Sequence, residues 1–307
     1  MKYRIRAYSI HELGQRNNQE DSLFPPFSEE PSNGDLFILC DGMGGHAAGE
    51  VASMAVCDTM SKCIEGIPRK DDQFDEEEFN AALNAAYDTL DTLDTGDEKK
   101  MGTTLTFAKF HEGGCFIAHI GDSRIYHIRP SEKRILHVTR DHSLVNNLID
   151  LGEMTPGEAK HSRQKNVITR AMQPHQESRS KADCFNLTDI QTGDYLYLCS
   201  DGMLEEMEDR ELVNILSLSL PDSKKVEILK GATKDNKDNH SAIMIHLVPL
   251  GDDLQETSVY EAGDDAGNKK VVNKRRIIKT FIISALVTLI VLIAAFFFFG
   301  GQRLLTR

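Results

Sequence analysis

The chain of 307 residues lacks most of the features that mark a sequence as belonging to a simple class. None of its six cysteines, at 40, 57, 63, 115, 184 and 199, forms a CxxC pair or a Cys/His spacing suited to zinc. Most are flanked by apolar residues. They read as reduced, buried small hydrophobes of a cytoplasmic protein, not as a disulfide framework. Positive charge is scarce up to residue 268, where 27 lysines and arginines face 48 acidic side chains. So acidic a domain repels nucleic acid, which needs a basic face. There is no internal repeat. Strand and helix signals do not alternate regularly, which disfavours a doubly wound parallel sheet. No apolar core follows the charged opening MKYRIR, so no secretion signal is expected there.

One long apolar run breaks this pattern. Residues 280–301 (TFIISALVTLIVLIAAFFFFGG) carry no charge over 22 positions, enough to span hydrocarbon, which takes roughly 20. Five lysines and arginines between 269 and 276, and then Lys279, precede the run, whereas only Arg303 and Arg307 follow it. The positive-inside rule then predicts a single-pass helix in the inner (plasma) membrane with the large domain on the cytoplasmic side. The expected layout is a large folded domain at 1–249 and an acidic, then basic, flexible linker at 250–276. A transmembrane helix at 277–301 and a short tail at 302–307 complete it.

Within 1–249, strands are predicted at 2–9, 35–40, 103–109, 114–120, 124–129, 134–138, 194–199 and 241–248. Helices are predicted at 48–63, 75–93, 143–151, 155–160, 208–218 and 223–234. Short turns at Gly113-Gly114 and at Gly121-Asp122-Ser123 indicate antiparallel pairing of the strands they join.

The chemistry gathers at strand ends. The apolar run FILC is followed by DGMGGHAAGE at 41–50, and YLYLC is followed by Ser200, Asp201 and Gly202. A third acidic turn, Asp238-Asn239, precedes another strand pattern. An aspartate at the open end of a buried strand, beside a glycine turn that lets backbone carbonyls approach, suits a metal ion. Three such aspartates read as one binuclear centre, and hence as a hydrolytic metalloenzyme. The candidate donors are all oxygens: Glu20, Asp21, Asp41, the Gly42 carbonyl, Asp122, Asp201 and Asp238. Such a set selects hard ions, Mn2+ or Mg2+, over zinc.

Eight segments, taken in chain order, resemble the metal-dependent protein phosphatases, the type 2C family of Ser/Thr phosphatases, in the form usual in bacteria. They are RNNQEDS (16–22), DGMGGHAAGE (41–50), MGTT (101–104), IGDSR (120–124), TRDHS (139–143), NVITRA (166–171), CSDG (199–202) and DNHS (238–241). The resemblance runs from about residue 6 to 247. It implies an α+β fold, a four-layer α/β/β/α sandwich with two mainly antiparallel sheets. It also implies hydrolysis of phosphoserine and phosphothreonine by a water bridging two Mn2+ or Mg2+ ions.

On this resemblance Asp41 bridges the ions, with the Gly42 carbonyl adding a ligand. Asp201 and Asp238 complete one shell, and Glu20 and Asp21 serve the other. Asp122 and Asp201 resemble the third-ion pair of bacterial relatives. Arg16 stands where the family places its phosphate-binding arginine, a planar fork able to grip two oxygens. His46 resembles the proposed general acid, whereas His142 reads as a structural hydrogen-bonding residue. Residues 143–165 resemble the family's flap, a helical insert beside the cleft. The implied partners are phosphorylated proteins, a Ser/Thr kinase or that kinase's substrates. Two-metal chemistry would equally serve a hydrolase of small phosphorylated metabolites, so the residues alone leave that alternative open.

Overall fold

The computed structural model describes residues 2–44, 48–66, 73–94 and 101–251, all within one compact unit. The first elements are β1 (Tyr3–Glu12), β2 (Asp21–Phe24), β3 (Leu36–Met43), α1 (Ala48–Glu65) and α2 (Glu76–Leu93). Then come β4 (Gly102–Thr103), β5 (Leu105–His111), β6 (Gly114–Ile120), β7 (Arg124–Arg129) and β8 (Arg134–Val138). They are followed by α3 (Leu144–Asp150), α4 (Pro156–His161), β9 (Asp183–Leu187) and β10 (Tyr195–Cys199). The series ends with α5 (Asp209–Leu216), α6 (Asp222–Thr233) and β11 (His240–Pro249).

Two antiparallel sheets result. One has the order β1-β11-β10-β7-β8, and the other has β2-β3-β5-β6-β9 with β4 paired to β3. Strand alternation assigns each apolar residue to a layer. Phe37 and Leu39 of β3 point between the sheets, where they meet Leu196, Leu198, Ile243 and Ile245. Leu36, Ile38 and Cys40 point the other way, against Val56 and Met60 of α1 and Phe79 and Leu83 of α2. On the opposite flank Tyr197 and Met244 pack with Leu212 and Leu216 of α5 and with Leu229 of α6. Three apolar layers between four layers of structure make the expected α/β/β/α sandwich. Because both faces of each sheet are covered, β3 and β10 read as continuous apolar runs instead of alternating ones.

Local signals agree with this packing. Asp75 caps α2, accepting from Glu77 N at 2.9 Å and Glu78 N at 3.0 Å, while Glu78 Oε2 accepts from Asp75 N at 3.3 Å. Such a cap contributes about 1 kcal/mol.

One expectation needs correction. The turn at Gly113-Gly114 does join an antiparallel pair, β5 and β6. The turn at Gly121-Asp122-Ser123 does not, because β6 lies in one sheet and β7 in the other. With Gly121 at φ 106°, the chain leaves the first sheet and crosses to the second, so Asp122 sits at the end of the sandwich. Two short edge strands, β2 and β9, were not predicted. The predicted transmembrane run lies outside the described residues. Among those residues no helix is long and apolar enough to cross a membrane.

Candidate metal centre

Each acidic residue reaches one end of the sandwich by a traceable route. Asp21 opens β2 and is the direct cross-strand partner of Asp41 on β3. Glu20 precedes β2, and its carbonyl accepts from Gly42 N at 3.0 Å. A Cβ on Gly42 would lie 2.2 Å from Gly49 O and 2.6 Å from Glu20 O. Only glycine therefore lets the start of α1 close over this strand end. From the second sheet, Asp201 follows β10 and Asp238 stands two residues before β11. A Cβ on Gly202 would lie 2.0 Å from Asn239 O, so the two loops can meet only through glycine.

A cleft of about 430 Å³ opens there, lined by Arg16, Glu20, Asp41, Gly42, Asp122, Asp201 and Asp238, with Asn17, Asn18, Asn166 and Asn239. Asp21 lies behind Asp41, 4% exposed, and accepts from Ser200 Oγ at 3.0 Å. Arg16 stands at the rim and donates from Nη2 to Asp238 Oδ2 at 2.6 Å. A second groove of about 490 Å³ shares Asp122, Asn166, Asp201 and Asp238 with the cleft. Its far wall is formed by Val145 and Ile149 of α3 and Ala159 of α4, the segment predicted to be the flap. Of the predicted site residues, only His46 lies outside the described residues.

The carboxylates are held at an electrostatic cost. Burial raises Asp41 well above the ordinary carboxyl range, and the charges of Asp21, Asp201, Asp122 and Asp238 push it further. Asp21 is pushed up to about 7 by burial and by the charges of Asp201 and Asp238, against the hydrogen bonds from Ser241 and Ser200. Asp122 reaches about 7 by burial and the charge of Asp201, and Asp201 about 6 by burial and the charge of Asp238. Burial also raises Glu20. Buried acids that repel one another need a cation among them. Asp21 Oδ1 and Asp122 Oδ1 are buried with no hydrogen-bond partner among the described residues. An all-oxygen donor set with unmet lone pairs fits a hard divalent ion.

Several residues that brace this cage carried no predicted role. Thr104 Oγ1 accepts from Asp41 N at 3.0 Å, and Thr103 Oγ1 donates to Asp41 O at 3.0 Å. Asn239 Oδ1 accepts from Glu20 N at 2.9 Å, while its Nδ2 donates to Leu13 O at 2.9 Å and Asn18 O at 3.0 Å. Asn239 thereby fastens the loop that bears Arg16 and Glu20. The motifs MGTT and DNHS were the available signals, but nothing local shows what their polar groups bond.

A sandwich with a carboxylate cage at one end defines a metal-dependent hydrolase. The family model for protein phosphatase 2C matches residues 11–226. The chain belongs to the protein phosphatase 2C family, and it is a metal-dependent protein Ser/Thr phosphatase. It is 38% identical over 201 residues to protein phosphatase PhpP of Streptococcus pneumoniae, covering 63% of this chain and 77% of that one. With Ser/Thr protein phosphatase PstP of Mycobacterium tuberculosis it shares 33% identity over 66% of this chain, but only 37% of that longer protein. The structure of the PstP catalytic domain in complex with two manganese ions superposes with a TM-score of 0.65 at 28% identity, covering 80% of this chain and 99% of that one. Staphylococcus aureus Stp1 gives 0.65 at 31% identity, over 78% and 94%.

Proposed function

We propose that this phosphatase hydrolyses phosphoserine and phosphothreonine in proteins with a pair of Mn2+ or Mg2+ ions held by the carboxylates of the cleft. The observation that carries this reading is the gathering of Asp41, Asp122, Asp201 and Asp238 around one cavity where, among the described residues, the basic side chain in the lining is Arg16 at the rim. In this reading Asp41, Asp201, Asp238, Glu20, Asp21 and the Gly42 carbonyl hold the ions, with Asp122 and Asp201 available to a third. When bound, such ions supply an activated water and neutralise charge on the phosphoryl group.

The remaining work falls to the chain's own residues. Arg16, half exposed at the rim, grips phosphate oxygens and orients the ester. Ser200 and Ser123 are engaged with Asp21 and Thr104 respectively, and burial pushes the Cys199 thiol far up. None of the three is a ready nucleophile, which favours direct attack by water over a covalent intermediate. His46 is the proposed general acid. The adjoining groove along α3 and α4 gives room for polypeptide beside the phosphorylated residue, which favours a protein over a small metabolite as substrate.

Asp41→Ala should lower Mn2+-dependent phosphate release from a phosphopeptide by more than about 10³-fold, a loss of ~4 kcal/mol in transition-state stabilisation, while circular dichroism shows the domain folded. Near-normal turnover in the folded variant would remove the assigned centre. Release from a sugar phosphate at a comparable rate would favour the metabolite reading instead.

We further propose that residues 280–301 anchor the enzyme in the inner membrane, facing a Ser/Thr kinase or its substrates. The charge-free run and its basic N-terminal flank support this. A chain ending at Gly251 should stay in the supernatant when the full chain sediments with membranes, and equal sedimentation of both would contradict the anchor.

A further inference from the structure

The turn that carries Asp122 is gripped by one residue, His142. His142 N donates to Gly121 O at 2.9 Å, and Gly121 N donates to the ring Nδ1 at 3.1 Å. Both backbone polar groups of the residue before Asp122 thus end on His142. A backbone N–H can only donate, so Nδ1 is an acceptor and the neutral ring carries its proton on Nε2. That nitrogen lies 3.2 Å from Asp183 Oδ2, to which it donates, and also 3.2 Å from Arg170 Nη1, which can only donate and gives its hydrogen bond to Asp183 Oδ1 at 2.8 Å. The ring also stacks on His119, with centroids 4.5 Å apart and planes inclined by 13°. His142 is 7% exposed and His119 is 1%.

His119, His142 and Asp183 bring potential ligand atoms within 4.8 Å of one another, a spacing that could suit a second cation. The tautomer speaks against it. A neutral imidazole that accepts at Nδ1 and bears its proton on Nε2 has no lone pair left for a metal. Arg170 already supplies the positive charge beside Asp183. The cluster instead orients a ring.

We propose that His142 is a positioning residue for the metal centre. It fixes the Gly121 peptide so that the Asp122 carboxylate is presented to the cleft. This inference rests on the reading of Asp122 as a cation ligand. Gly121 has φ 106°, and a Cβ there would lie 2.6 Å from Thr104 Cγ2, so the turn tolerates no side chain that could stiffen it. Its shape is set from outside, by Thr104 on one side and His142 on the other. Asp122 Oδ1 is buried without a partner among the described residues, so that oxygen is left for a cation and its position follows the backbone turn that carries it. Groups that orient ligands in this way typically change metal affinity about 10- to 100-fold when removed.

Two amide substitutions separate the ring's two ends. In His142→Asn the Oδ1 hangs from Cγ as Nδ1 does, so it can still accept from Gly121 N. In His142→Gln the amide moves one bond outward, toward Asp183, and the Gly121 N–H loses its acceptor. The assays are Mn2+ binding to the full chain by calorimetry and, in parallel, phosphate release from a phosphopeptide titrated with Mn2+. His142→Gln should raise the half-saturating Mn2+ at least about tenfold with the phosphopeptide KM unchanged, whereas His142→Asn should stay within about threefold of the parent. Because Mn2+ binding and folding are linked, the titration is read only on variants that circular dichroism shows to be folded without the ion, so that partial unfolding does not imitate the shift.

If the Gln variant does not fold, His142→Ala, which also strands the Gly121 N–H, takes its place. Equal behaviour of the Asn variant and its counterpart would show that the ring only packs, and would overturn the proposal. Asp122→Asn is measured alongside. A Mn2+ titration unmoved by Asp122→Asn would remove Asp122 from the centre. A titration moved by Asp122→Asn but not by His142→Gln would refute the positioning role alone.

Discussion

Asp194, just before β10, and Asp21, at the start of β2, are both withdrawn from solvent, with 1% and 4% exposure. Asp194 meets partners supplied by the chain itself. Arg129 donates to it from Nε and Nη2, each at 2.9 Å, and His127 Nε2 lies 2.8 Å away. Burial acts to raise the Asp194 carboxyl, yet the hydrogen bonds from His127 and Arg129 hold it below its ordinary value. Asp222 behaves in the same way, with His246 Nδ1 at 2.7 Å from its carboxylate. Asp21 receives a hydroxyl from Ser200 and faces Asp41, and it is pushed up to about 7. Among the described residues, the fold therefore compensates the buried acids Asp194 and Asp222 with hydrogen-bond donors of its own. At the open end it withholds that compensation, which leaves the work to ions from solution.

The sharpest way to break this contrast is a matched pair of substitutions, Asp201→Asn and Asp194→Asn. Asp201 has a raised carboxyl, so in the cation-free protein its stability contribution is full below the unfolded value of 3.8 and is lost as pH rises through about 6. Asp201→Asn should therefore cost more than about 10³-fold in activity and yet stabilise the cation-free domain at pH 7.5, by on the order of 1–3 kcal/mol. Asp194 has a lowered carboxyl, whose contribution is present above the unfolded value and lost as pH falls through the folded one. Asp194→Asn should destabilise by about 3 kcal/mol, because it leaves Arg129 buried without full compensation, while turnover per folded molecule is unchanged. Urea unfolding with and without Mn2+ reads both. Destabilisation of the cation-free protein by both variants would erase the distinction.

This contrast was only partly visible in the sequence. Asp41, Asp201 and Asp238 stood out because each follows or precedes a buried apolar strand. The layered fold class was implied by the resemblance of eight segments to the family, while the strand and helix signals alone only disfavoured a doubly wound parallel sheet. The residues that make the cage rigid did not stand out. Asn239 is defined by bonds to Leu13, Asn18 and Glu20, more than 200 residues away, and no local pattern encodes such pairs. The strand β2 is four residues long and runs into Pro25, and β9 is a half-exposed edge, so neither has the continuous apolar run that exposed β3 and β10. Missing β2 also hid the pairing of Asp21 with Asp41. The turn at Asp122 was misread for a related reason: a tight turn signals a reversal, but only packing decides whether the chain stays in its sheet.

His119 extends the comparison from acids to bases. It is buried with both ring nitrogens lacking a partner among the described residues. Burial above all lowers its value from 6.5 to about 4, because a protonated ring stacked in this buried setting would be stripped of water. The ring is neutral in the fold, whereas the unfolded chain binds a proton below 6.5. Its contribution to stability is thus full above 6.5 and falls as pH drops toward about 4, by about 3 kcal/mol in all. The cleft carboxylates titrate in the opposite sense, so the difference between parent and His119→Phe isolates the effect. Unfolding free energies at pH 7 and pH 5 should show a parent that loses about 2 kcal/mol more than the variant. Parallel pH dependences would mean that His119 is already protonated, or solvated, in the fold.

The smallest expected effect concerns the two arginines that the comparison sets apart. Arg129 is 5% exposed and committed to Asp194 and Asp189, whereas the Arg16 side chain is 54% exposed and, among the described residues, bonds to Asp238. An arginine with donors to spare at the rim of an anionic cleft can share itself with a phosphate without leaving its carboxylate. Lysine keeps the charge but not the fork, so Arg16→Lys should lose one charge-assisted hydrogen bond to the ester, about 1.5 kcal/mol, or roughly tenfold. The loss should appear as a higher KM for phosphopeptide with kcat little changed, because the contact is made equally in the ground state. A KM within about twofold of the parent, less than ~0.5 kcal/mol, would reduce Arg16 to a surface ion pair with Asp238, no different in kind from the other exposed pairs of this domain.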